Sequence, residues 1–79
     1  MRTIAQQWTQ FERLAMPPSA GQLQRKEMRR AFYAGFQASL SVGVEIADAD
    51  LSDEAGAAVL QGLHEECQLF AGEIAAGRA

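Results

Sequence analysis

Near the C-terminal end of the chain, Leu60, Leu63, Cys67, Phe70 and Ile74 recur at intervals of three, four, three and four residues. That spacing lines side chains along one face of an α-helix. With two apolar positions per heptad, the stripe has the narrow width of a coiled-coil seam. The same period appears twice more. Ile4, Trp8, Phe11 and Ala15 draw one stripe, and Met28, Ala31, Phe32, Gly35, Phe36 and Ser39 share another face. Over the second of these faces nothing alternates with period two, so a strand is not expected there, and with three helical stripes the chain reads as all-α.

The boundaries follow from caps and breakers. Thr3 is placed to cap a helix over about 4–15, which Pro17 and Pro18 end, because proline lacks an N–H and restricts the residue before it. Ser19, with Gln22 three residues on, reads as a capping box for a second helix over about 20–44. Residues 45–51 read as a turn or frayed end. Ser52 caps a third helix over about 53–76, with Asp53 and Glu54 complementing the helix dipole and Gly77 as the stop. The expected architecture is a short N-terminal helix packed on a long antiparallel helical hairpin, one domain over 1–79. Cys67 and Phe70 are expected inside it and His64 at its edge. Gly35 costs a helix about 1 kcal/mol against alanine, a cost usually tolerated where another backbone comes close.

A chain of 79 residues buries too little surface to be comfortably stable by itself. Small folds compensate with disulfides, metal or oligomerisation. One cysteine and one histidine make neither an intramolecular disulfide nor a four-ligand zinc site. A homo-oligomer, a dimer or higher, is the expected solution. The lone cysteine suits a reducing cytosol. No apolar run approaches the roughly 20 residues of a membrane helix, and the first residues lack the apolar stretch of a signal peptide.

The net charge of −3 hides an asymmetry. Residues 1–44 hold six Lys/Arg and two acids, a sum of +4. Residues 45–79 hold eight acids and Arg78, a sum of −7. The acids argue against duplex DNA as a partner. The basic residues leave two possibilities: a face consumed by the acidic third helix, or a strip free for an anion.

Catalysis is not expected. His64 and Cys67 share a helix face, but no orienting group or oxyanion site accompanies them. There is no phosphate loop, paired-carboxylate motif or zinc spacing, so neither metal nor cofactor is expected. The basic strip is more informative. Arg25, Lys26, Arg29, Arg30 and Tyr33 fill one sector of the second helix at 100° per residue. An aromatic ring among guanidinium groups can stack a base while the cations hold phosphate.

The run Pro17-Pro18-Ser19-Ala20-Gly21-Gln22-Leu23-Gln24-Arg25 resembles the start of the long helix in the small helical phage proteins that sponge cyclic nucleotides in anti-CBASS defence. Those carry a proline pair, then glycine-glutamine, an apolar residue and a basic helix. The continuation, Glu27 to Gly35, is similar to short prophage reading frames without settled function. The sponge resemblance covers about 25 residues. It implies a phage origin, three helices, a homo-oligomer in the host bacterial cytoplasm, and a small anionic nucleotide bound between protomers. Phe11 matches the aromatic before the proline pair, and Arg25 with Arg29 or Arg30 matches the basic positions after it. With Tyr33, these residues form the expected ligand site. The family's last helix carries a small-residue segment with asparagine, where this chain has His64-Glu65-Glu66-Cys67-Gln68-Leu69-Phe70. The competing expectation is a phage protein that inhibits a host defence protein by direct contact, its acidic third helix mimicking nucleic-acid charge.

Overall fold

A computed structural model describes all residues, 1–79. It contains three helices and no strand: α1 (Ile4–Ala15), α2 (Gln22–Asp48) and α3 (Asp53–Ala75). They fall into two compact units, Met1–Val44 and Glu45–Ala79. The boundary lies where the sequence changes from net basic to net acidic, and α2 runs through it.

In the first unit, Thr3 caps α1 reciprocally. Its hydroxyl accepts from the Gln6 N–H at 3.1 Å, and its own N–H donates to Gln6 Oε1 at 2.9 Å. Two orphan donors are satisfied at once. At the other end, Met16 is extended (φ −84°, ψ 131°), as a residue before proline must be. The chain then turns, with the Ala20 N–H donating to the Pro17 carbonyl at 3.0 Å and Pro18 in the second position that favours its fixed φ. This turn uses Ser19, so Ser19 does not cap α2. Gly21 stands there instead, its carbonyl accepting the first helical bond from Arg25 N at 3.1 Å. The helix consequently begins at Gln22, two residues later than the sequence suggests.

After the turn, α1 lies antiparallel to the first part of α2, with Glu12 opposite Arg25 and Trp8 opposite Phe32. Aromatic rings fill the space between them. Trp8 contacts Phe11 and Phe32 at centroid distances of 5.7 and 5.5 Å, Phe11 meets Phe32 at 5.2 Å, and Phe36 extends the row at 6.1 Å from Phe32. The rings are tilted or edge-on, the geometry their quadrupoles favour. Trp8 and Met16 are the two buried residues of the chain.

The second unit corrects two expectations. Residues 45–48, read as turn, continue α2 to Asp48. Glu45 and Ala47 are good helix formers, and the half-buried Ile46 anchors this end, its Cγ2 3.7 Å from where a Cβ on Gly56 would stand. The reversal is made by Asp50 with φ +52°, left-handed backbone that Asp tolerates better than most residues. Ser52 caps α3 by accepting from the Ala55 N–H at 3.1 Å. The far end closes through Gly77 at φ +75°. There Arg78 N–H donates to the Glu73 carbonyl and Gly77 N–H to that of Ile74, which is a Schellman motif. The Arg78 guanidinium also grips the Glu73 carboxylate at 2.6 and 3.1 Å, a bond that raises the arginine's pKa.

The second correction concerns the seam. Leu60, Phe70 and Ile74 are 55%, 59% and 55% exposed, and no residue of α3 is buried. Cys67 is a free, exposed thiol rather than core. Periodicity fixes which side chains share a face; it does not place anything over that face. Gly35 likewise has nothing within 4 Å of a Cβ built on it. No helix is long and apolar enough to cross a membrane.

Candidate basic site on α2

The sequence groups five side chains on one sector of α2, and the structure divides them. Arg25 points into the turn. Its Nε donates to the Ala20 carbonyl at 3.2 Å, Nη2 donates to the Pro17 carbonyl at 3.2 Å, and Nη1 meets Glu12 Oε2 at 3.2 Å. The guanidinium is thereby satisfied by α1 and by the main chain of the proline turn. Glu12 is the partner that sequence reasoning missed; the one available signal was its being one of two acids in residues 1–44.

Phe11 is also engaged elsewhere. Its ring sits against Trp8 and Phe32, in the aromatic row between α1 and α2. Of the five residues expected to bind ligand, Arg25 and Phe11 are therefore held by the fold, while Arg29, Arg30 and Tyr33 remain together on the surface of α2.

Those three line a concavity of about 310 Å³ with Lys26. Positions 26 and 33 each stand three or four residues from both 29 and 30, so the four side chains are neighbours over two turns of one helix without help from tertiary structure. The Arg29 guanidinium carbon stands 5.6 Å from the centroid of the Tyr33 ring, within cation–π range. Arg30 makes a loose, exposed pair with Glu27 at 3.7 Å, the kind worth little in water. Lys26 and Arg29 take part in no ion pair; the chain's ion pairs are Arg25–Glu12, Arg30–Glu27 and Arg78–Glu73.

Lys26 and Arg29 also border a second hollow of about 390 Å³, between α1 and α2, lined further by Ala5, Trp8, Thr9, Glu12 and Arg25. They thus form a ridge with a basic concavity on one side and an amphipathic groove on the other. The chemistry on offer is anion binding beside an aromatic face. His64 and Cys67 have no further ligand to complete a metal site, since no three His, Cys, Asp or Glu residues converge anywhere.

No family model, curated protein or solved structure matches the chain.

Proposed function

We propose that the chain is a non-catalytic binding protein that sequesters a small phosphorylated ligand of cyclic-nucleotide type, in the manner of the phage sponge proteins its proline turn resembles. One observation carries this reading: Arg29 stands over Tyr33 with Lys26 beside it, and neither cation is neutralised within the chain. Tyr33 and the Arg29 plane offer a base something to stack on, and Lys26 and Arg30 offer a phosphate its donors. The concavity, about 310 Å³, is at the small end of the range for ligand sites. A compact anion suits a local basic concavity, whereas the net charge of −3 opposes a long phosphate backbone. The implied setting is a phage protein acting in the host bacterial cytoplasm.

Thermal denaturation in the presence of cyclic di- and trinucleotides tests the proposal. A ligand at a hundred times its dissociation constant stabilises by about 2.7 kcal/mol, a shift of many degrees for a chain this small. Calorimetry with no heat from any cyclic nucleotide would end it.

A second reading, inhibition of a host defence protein by direct contact, is favoured by the exposed α3 stripe with Glu66 flanking it, one turn before Phe70. Capture of a defence protein that survives removal of the α2 cations would select that reading.

A further inference from the structure

Three hollows of the first unit join in series. The concavity of Lys26, Arg29, Arg30 and Tyr33 shares Lys26 and Arg29 with the groove between α1 and α2. That groove shares Thr9, Glu12 and Arg25 with a third hollow of about 350 Å³, which Arg13, Met16 and Pro18 complete beside the proline turn. Together they make one furrow from the turn to Tyr33.

Its charges suit a chain of anions. Arg13, Lys26 and Arg29 take part in no ion pair, and Arg30 has only its loose one with Glu27. Glu12 is the single acid along the furrow, and Arg25 neutralises it at 3.2 Å. Uncompensated cations therefore stand on both sides of a neutral pair. A positive furrow that also carries an aromatic ring is how single strands are held, with the backbone on the cations and a base on the ring. From the level of Arg25 to that of Tyr33, α2 advances about 12 Å at 1.5 Å per residue. Phosphates along one strand advance about 3.4 Å each, so this length spans about three nucleotides.

We infer that the furrow takes a short linear oligonucleotide of about three nucleotides, one base on Tyr33 and the backbone running past Lys26 and Arg29 towards Arg13. The inference rests on the reading that the concavity holds a nucleotide, and it extends that ligand along α1. Beyond the furrow the net charge of −3 opposes further phosphates, so added length should bring nothing more.

Titration calorimetry with 5′-phosphorylated linear oligoadenylates of one, two, three and six nucleotides tests this on the full chain. The trinucleotide is expected to bind at least tenfold more tightly than the mononucleotide, and the hexanucleotide within twofold of the trinucleotide. Trp8, the one tryptophan of the chain, lines the groove but not the concavity. Its emission should respond to the trinucleotide more than to the mononucleotide. Thr9→Glu sets a carboxylate on the α1 wall, away from Tyr33. Thr9 is exposed and its hydroxyl bonds only to the Ala5 carbonyl of its own helix, and glutamate is the better helix former. Circular dichroism should show the variant folded. It should lose the advantage of the trinucleotide while the mononucleotide binds as before, and Thr9→Gln should keep both. Affinity that does not rise from one nucleotide to three overturns the inference, as does a Thr9→Glu variant that binds the trinucleotide normally. If cyclic nucleotides bind while the linear series stays flat, the furrow fails and the proposed function stands. If no nucleotide of either kind binds, both fail.

Discussion

The Arg25 guanidinium reaches across the proline turn to the Glu12 carboxylate, 3.2 Å from Nη1 to Oε2, while its other nitrogens hold the carbonyls of Pro17 and Ala20. One side chain thus ties α1, the turn and α2 together. A residue that looks like a ligand-binding cation in sequence is a brace in the fold.

Arg25→Ala should therefore destabilise the chain, by about 1–2 kcal/mol. Hydrogen bonds to charged groups are worth more than neutral ones, but this pair is about a third exposed (31% and 33%) and so partly screened. Arg25→Lys should recover little, because a single ammonium cannot reproduce the guanidinium fork. The melting temperature reads the difference, at about 4–8 °C per kcal/mol for a chain of this size.

Trp8→Ala removes the largest member of the aromatic row from a site only 5% exposed. A cost of about 3–5 kcal/mol is expected, enough to unfold the first unit of so small a protein. Far-ultraviolet circular dichroism should lose the α1 signal at room temperature. A variant that melts like the wild type would show that the row does not hold α1 to α2.

Asp50→Gly should stabilise. With φ at +52°, the aspartate carries a left-handed cost of roughly 1–2 kcal/mol that glycine lacks; glycine's greater freedom in the unfolded chain returns part of it. The net gain is about 0.5–1 kcal/mol, measurable as a rise in the denaturation midpoint with unchanged m-value.

Arg29→Ala separates binding from stability. The side chain makes one cation–π contact and no ion pair, so stability should change by no more than about 0.5 kcal/mol. Affinity for a phosphorylated ligand should fall roughly ten- to a hundredfold, since each 1.4 kcal/mol is tenfold. Titration calorimetry on a variant with wild-type melting behaviour gives the answer.

Much of the helical frame was legible because caps are local. Thr3, Ser52 and Gly77 each act through neighbours within five residues, and sequence spacing carries that information. The ends of α2 were not legible for the same reason reversed. Its start is delayed by a main-chain bond from Ala20 to Pro17 that no side chain announces. Its end runs on to Asp48 and stops at an aspartate in left-handed backbone, where a glycine would have been the visible sign. In the basic strip, helical spacing correctly placed Arg29, Arg30 and Tyr33 side by side. It could not place Glu12, which meets Arg25 across a reversal of the chain. The spacing along α3 marks a stripe but does not make it core, since burial depends on what else lies against it.

The brace at Arg25 grips the turn by its carbonyl oxygens. Any residue presents a carbonyl, so the turn's shape is decoupled from the side chains that decorate it. Ser19, which neither caps α2 nor touches the guanidinium, is free to become almost anything. A fluorophore, an affinity handle or a short peptide introduced there would report on the molecule from its loop without loosening the joint beneath.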